Sequence, residues 1–320
     1  MATKKKQRVK IQENGKMKRQ QMVRFCENIG EEYRFTVSRI IATYSLEQDL
    51  RDIFVEGKSD VCVLQEYARV NSINNSKIYN IDDVFIPNNM LKPPHGSGNR
   101  GRVIALAETL SEHPDLGYDN VFCLADKDLD QLEDIPPYRR LWLTEFTCLE
   151  AYIFTNEITM QIINTFFCKK IDHDNVREIM RTCVYLYFAR KYKKDKAPSL
   201  SWVDPSNSIS MEGASLIFDS SNFLERMLTN QGMAHLTEDA KETIARMTDS
   251  HNTDARYAIH KDDYFRVICR YAKLKRCDAN LCKPEVFSRV ALSHILNGSS
   301  KYSTFQKYLE WAKPSQGARP

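Results

Sequence analysis

A chain of 320 residues, 42% hydrophobic and 28% charged, has ample apolar content for a core and room for one large or two modest domains, so it is a folded protein and not a tail. No apolar run reaches the eighteen or so residues of a membrane span, and Met1-Ala2-Thr3-Lys4-Lys5-Lys6 lacks the apolar stretch of a secretory signal, which predicts a cytoplasmic protein with no membrane partner. The net charge of +4 conceals an asymmetry: residues 1–24 carry nine Lys and Arg against Glu13 alone, or +8, which leaves −4 on the remainder. Such a basic segment either adds a salt-dependent, sequence-blind attraction to phosphates or is simply a solvated end. The nine cysteines lie in apolar or helical contexts, as free thiols of a reducing compartment do. Cys277 and Cys282 have no second pair and no paired histidines to complete a zinc site.

In chain order, Met22 to Leu50 mixes apolar and charged residues at helical spacing, and Ser45 to Arg51 reads as a helix leading into a first strand, Ile53 to Val55. Asp60 to Val70 carries a helical stripe of Val61, Leu64, Tyr67 and Ala68. A second strand is expected at Lys77 to Ile81. The glycine-rich turn His95-Gly96-Ser97-Gly98-Asn99-Arg100-Gly101 then opens a helix with Val103, Ile104, Leu106, Ala107 and Leu110 on its buried side. Asn120 to Ala125 forms a third strand and Leu141 to Leu143 a fourth, with Thr144 to Phe154 turning into a further helix. Strand, helix, strand, helix, strand is the order of a parallel sheet with right-handed crossovers, an α/β fold.

From Ile158 the texture becomes helical, with segments at Val176 to Lys191, Asn222 to Thr229, Glu238 to Met247, Asp262 to Leu274 and Pro284 to Asn297. The polar stretch Lys193 to Asp219 reads as a loop. The organisation expected is a basic tail and helix over 1–44, an α/β domain over 45–165 and a helical domain over 166–320.

Two acidic clusters follow the first and third strands: Val55-Glu56-Gly57-Lys58-Ser59-Asp60 and Ala125-Asp126-Lys127-Asp128-Leu129-Asp130. Parallel strands open at their carboxyl ends onto a ligand crevice. Carboxylates gathered there repel one another and resist ionising unless a hard cation shares them, which points to Mg²⁺ or Mn²⁺. One helical turn brings Glu56 and Asp60 to one side, and an extended segment points Asp126 and Asp128 to one face, with Asp130 behind them. Two metals in such a set could grip a phosphodiester and generate hydroxide from water. The plain alternative is a pair of solvated acidic turns.

Val55-Glu56-Gly57 with Asp60, followed by Asp126-Lys127-Asp128, resembles the Toprim domain shared by topoisomerases, bacterial primases, ribosomal-RNA maturases and OLD-type nucleases. The resemblance implies a compact four-stranded parallel sheet between helices. It also implies Glu56 as the catalytic general acid or base and Asp126 and Asp128 as Mg²⁺ ligands, while Asp60 resembles the extra acid of the two-metal OLD-type site. Thr144-Glu145-Phe146-Thr147-Cys148-Leu149-Glu150-Ala151-Tyr152 and Ile259-His260-Lys261-Asp262 resemble later motifs of the AriB-like effectors of PARIS antiphage defence, a Toprim family encoded beside ABC-type ATPases. That likeness implies Glu150 as a further metal ligand and Lys261 as a catalytic, phosphate-binding cation.

Rival signals are weaker. Gly57-Lys58-Ser59 is not a P-loop, because Asp52 stands where that motif needs its first glycine. Gly96 to Gly101 is followed by Arg102-Val103 and so lacks the Lys and hydroxyl of a nucleotide site. It could still offer backbone amides, with Arg100 and Arg102, to one phosphate of a polynucleotide. Arg190-Lys191-Tyr192-Lys193-Lys194 has the mix of cations and a ring that suits nucleic acid, and also that of a snorkelling helix end. The sequence expectation is a Mg²⁺-dependent endonuclease with two metals per site. RNA, transfer RNA included, is favoured as substrate, and an ABC-type ATPase partner and a homodimer are implied by the resemblance. An OLD-type DNA nuclease and a non-catalytic metal-binding scaffold are the alternatives.

Overall fold

Residues 52–55 and 121–125 are buried at every position. Their side chains alternate between two cores: Ile53, Val55, Phe122 and Leu124 enter one, while Phe54, Val121, Cys123 and Ala125 enter the other. Strands covered on both faces need helices on both sides.

The computed structural model describes residues 35–91, 96, 98–113, 116, 119–129, 137–251, 254–283, 286, 289, 293–296 and 299–313. Its first half runs β1 (Phe35–Thr36), α1 (Val37–Leu46), β2 (Asp52–Val55), α2 (Lys58–Val70), β3 (Ile78–Asn80), β4 (Val84–Phe85), α3 (Asn99–Glu112), β5 (Val121–Ala125) and β6 (Leu141–Leu143). There follow α4 (Asn156–Phe166), α5 (His173–Lys196), β7 (Ile209–Glu212), β8 (Ser215–Phe218), α6 (Ser220–Leu228), α7 (Thr237–Ser250), α8 (Lys261–Leu274) and α9 (Ser303–Ala312).

The central sheet has the order β3-β2-β5-β6 with every pair parallel. The chain leaves β2 for β3 on one side and returns to β5 on the other, so the strand order reverses between β2 and β5. Ligands bind α/β sheets at the carboxyl ends of strands at such a reversal. On one face α2 packs Val63, Leu64, Tyr67 and Ala68 against the sheet. On the other, α1 contributes Val37, Ile40 and Tyr44, and α3 contributes Val103 to Ala107 and Leu110. Asp52, buried at the start of β2, accepts from Tyr44 Oη (2.7 Å) and Lys77 N (2.8 Å), tying α1 and β3 to the strand.

The helical half is continuous with the sheet. A single apolar cluster runs from β2 and α2 through α5 and α8 to Phe305, Tyr308 and Ala312 of α9. The last helix returns to the sheet, with the Trp311 ring edge-on to Phe122 (5.3 Å) and Trp142 (5.5 Å). Tyr308 Oη donates to Ser76 Oγ across 3.0 Å, and the Phe305 ring lies 4.8 Å from that of Tyr67. Residues of both expected units, 45–165 and 166–320, enter this cluster, while α1, which begins within the expected tail region, packs on the opposite face of the sheet.

Local differences have local causes. The stretch expected as a loop over 193–219 contains the antiparallel hairpin β7–β8, whose register pairs Glu212 with Ser215 across Gly213-Ala214. Gly213 takes the positive φ of +60° that a two-residue hairpin turn requires. Thr144 to Phe154 is not an α-helix; only the 3-10 turn Leu149–Ile153 forms there. The helix expected over 45–51 ends at Leu46. The basic residues 1–24, Asp130 and most of the helix expected over 284–297 lie outside the described residues. Among the described residues no helix is long and apolar enough to cross a membrane.

Candidate active site

Glu56 and Asp126 are the first residues beyond neighbouring strands, and the register that pairs Val55 with Leu124 sets them side by side. Asp126 N donates to Glu56 Oε1 at 2.8 Å. Asp60 is the third residue of α2, and its Oδ2 accepts from Gly57 N at 3.0 Å, a carboxylate folded back over a helix start as an N-terminal cap. The 3-10 turn Leu149–Ile153 then supplies the fourth acid. Its Leu149 N donates to Asp126 Oδ1 (3.2 Å), and Glu150, only 4% exposed, accepts from Ser59 Oγ through Oε1 (3.2 Å).

The ammonium of Lys261 reaches this group. Lys261 opens α8 and places Nζ 3.4 Å from Glu150 Oε1 and 3.9 Å from Asp126 Oδ2. The start of α3 closes the remaining side, where Asn99 Nδ2 donates to the Glu56 carbonyl (2.9 Å) and Arg100 Nε to the Asp126 carbonyl (2.8 Å). The first turns of α2, α3 and α8 therefore converge on the carboxylates, and their positive dipole ends favour negative charge there.

Crowding and burial decide protonation. Burial first, then the charges of Asp128 and Asp60, push Glu56 up to about 8 against the pull of Asp126 N–H and Arg100. Burial and Glu150 push Asp60 up to about 7, partly offset by Lys261 and Gly57 N–H. Asp126 is driven well above the carboxylate range by burial, Asp60 and Glu56. For Lys261, burial alone would favour the neutral amine, but Glu150, Asp126 and Asp60 outweigh it and raise the group, so it stays an ammonium.

Whether a divalent ion fits is tested by the atoms left over. Asp60 Oδ1 and Glu150 Oε2 are buried and find no hydrogen-bond partner among the described residues. A buried acceptor in that condition is destabilising by about 1–3 kcal/mol, and more when charged. A hard cation with oxygen ligands would satisfy both atoms and relieve the raised carboxyls. As they stand, no three His, Cys, Asp or Glu side chains among the described residues close on a point as a ligand sphere. The donor set fits the ion in chemistry and is not yet closed around one, with the Lys261 ammonium lying among its members.

No protein-family model matches this chain, and no curated protein matches it. The site is described by its own residues. Asp128 departs from the extended alternation expected of it: the strand ends at Ala125, and Asp128 adopts a left-handed φ of +52° in a turn. Its N donates to Thr147 O (2.8 Å) and its carbonyl accepts from Tyr187 Oη (3.1 Å), so its half-buried carboxylate flanks the cluster, where its charge acts on Glu56. Lys127 turns away, donating through Nζ to Glu145 O (2.5 Å).

Of the cations expected on nucleic acid, Arg100 sits in the site. Arg102 is committed to structure, bonding Asp82 Oδ1 (2.8 Å), Asn99 Oδ1 (3.0 Å), Ile81 O (3.0 Å) and Val84 O (2.8 Å). Arg190 makes a bidentate pair with buried Asp263 (2.6 and 2.9 Å) and lies 4.1 Å over Trp202. Lys193 Nζ donates to Pro198 O (3.3 Å), Lys191 is half-buried and Lys194 is exposed. These belong to the far end of α5, whereas Tyr187 of the same helix touches the site.

Sequence reasoning missed four residues that build the site. Thr147 Oγ1 donates to Ile259 O (2.6 Å) while Thr147 O holds Asp128, so one residue joins the β5 loop to the segment that carries Lys261. His260 caps α8, its Nδ1 accepting from Asp262 N (3.3 Å), and burial followed by Arg190 lowers its pKa. Ser59 and Asn99 orient Glu150 and Glu56. The visible signal was a hydroxyl, an imidazole or an amide beside each acidic motif; what each one bonds depends on segments far away in sequence.

Proposed function

We propose that this chain is a divalent-metal-dependent nuclease of the Toprim class, similar to the OLD-type and AriB-like enzymes. The observation that carries the reading is the convergence of Glu56, Asp60, Asp126 and Glu150 at the β2–β5 reversal, with two buried oxygens lacking partners and one ammonium beside them. Asp60, Asp126 and Glu150, with Asp128 at the rim, would hold Mg²⁺ or Mn²⁺. Such an ion, when bound, polarises a phosphodiester and lowers the pKa of water.

The remaining roles fall to the chain itself. Glu56, held up to about 8, exchanges a proton near neutral pH, as a general acid or base must. Asn99 and Arg100 fix the carbonyls of Glu56 and Asp126, and so the two carboxylates behind them. Lys261 and the three helix starts favour an anionic phosphate at the mouth. RNA as substrate, an ABC-type ATPase that restrains the enzyme, a homodimer and a role in antiphage defence rest on the resemblance of 144–152 and 259–262 to AriB-like effectors.

The test is cleavage of total RNA and of plasmid DNA by the purified chain in Mg²⁺, Mn²⁺ or EDTA, alongside Asp126→Asn. Metal-dependent cleavage of RNA lost in Asp126→Asn is expected. Cleavage of plasmid alone would assign the OLD-type DNA activity, and full activity of Asp126→Asn would overturn the site.

A further inference from the structure

We infer that Lys261 is the resident counter-ion of the carboxylate cluster, and that a divalent ion enters by exchange with its ammonium, which is thereby released toward the substrate phosphate. The inference rests on the metal-site reading above and adds an order of events to it.

Lysine at the first position of a helix faces a dipole of its own sign, and there it is ordinarily solvated. Lys261 instead turns its ammonium inward, and its side chain is only 34% exposed. The attraction comes from the carboxylates: Glu150 Oε1 is within hydrogen-bond reach and Asp126 Oδ2 within ion-pair reach. One ammonium with three N–H donors does not satisfy this set, because Asp60 Oδ1 and Glu150 Oε2 stay without partners. Glu150 carries both conditions on one carboxylate, Oε1 turned to Lys261 and Oε2 unpaired.

A divalent ion that used Glu150 and Asp126 would lie within a few ångströms of the ammonium, where like charges in a partly buried site repel strongly. Two cations do not share those oxygens, so one displaces the other. Lysine suits the exchange because its flexible four-carbon stem can swing where a planar, bidentate guanidinium would stay locked, as Arg190 does on Asp263. Once displaced, the ammonium has the first turn of α8 as its pivot and swings toward a phosphate held beside the carboxylates. Binding of metal and readiness for phosphate are then coupled.

The test is Mn²⁺ titration by calorimetry into the full-length wild type, Lys261→Met and Asp126→Asn. Lys261→Met, which keeps most of the aliphatic stem and removes the charge, is expected to bind Mn²⁺ about tenfold more tightly or better. An unchanged or weaker affinity in Lys261→Met, with binding lost in Asp126→Asn, overturns the exchange and leaves the metal site standing. No Mn²⁺ binding by wild type or Lys261→Met overturns both. Should Lys261→Met not fold, acetylation of Lys261 in the wild type, read by mass spectrometry, decides: labelling that rises on adding Mn²⁺ supports release of the amine, and labelling that stays level or falls refutes it.

Discussion

Glu56, Asp60 and Asp126 each keep a proton in the folded chain at a pH where the unfolded chain has lost it. For groups whose folded pKa is raised, the stability they contribute is full below the unfolded value, about 4, and is lost as pH rises through the folded values, about 7 for Asp60 and about 8 for Glu56. The urea midpoint of the metal-free protein should therefore fall between about pH 4 and about pH 8, and saturating Mg²⁺ should flatten the curve, because a ligand that binds only the folded form adds stability where the carboxylates are ionised. Equilibrium unfolding with and without EDTA measures both. Glu56→Gln keeps an oxygen for Asp126 N and removes the charge, so the metal-free variant should melt at the wild-type temperature or higher while cleavage falls by about 10²–10⁴. A lower melting temperature would mean that the Glu56 charge stabilises the fold. Glu56 and Asp126 were legible because each follows a buried strand, and Asp60 because it lies one helical turn beyond Glu56. The placement of Asp128 was not, since a positive φ at a non-glycine residue leaves no mark on local pattern.

Thr147 shows what a single hydroxyl does between elements. It belongs to neither strand nor helix, yet it ties the turn after β5 to the segment before α8. Thr147→Val preserves the shape and leaves the fully buried Ile259 carbonyl without its donor, which should destabilise the fold by about 1–3 kcal/mol. Urea unfolding checks the magnitude, and a rise in the Mn²⁺ concentration needed for half-maximal cleavage would show that the site loosened with it. At this scale the parallel strands and α2, α3 and α8 were legible from apolar runs and stripes. The β7–β8 hairpin was hidden because Ser210, Glu212 and Ser215 are exposed and dilute its short apolar runs, although Gly213-Ala214 between them is a turn signal.

At the scale of the whole molecule the sheet separates two cores, and one of them is completed by α9 returning to the sheet. Phe305 and Tyr308 of α9 are fully buried, each worth about 1.5–3 kcal/mol of burial, and Trp311 covers Phe122 and Trp142. Truncation after residue 302 removes an amount comparable to the stability of a whole domain, so the shortened chain should be largely unfolded or aggregated, as circular dichroism and gel filtration would show. A shortened chain that melted cooperatively at the wild-type temperature would refute that account of α9. Composition distinguished a strand-rich half from a helical half, and could not show that they share an interior, because the contacts joining them are set by packing between residues some two hundred positions apart.

That return has a meaning for how the protein is made. At roughly 5–20 residues per second of synthesis, the interval between Phe122 and Trp311 lasts on the order of ten to forty seconds. Throughout it the sheet face that α9 covers stays open to water on the nascent chain, and until residue 261 emerges the four acids have no ammonium among them. The core on that face of the sheet thus stays unfinished until α9 has left the ribosome, well after the acids that precede it have been made.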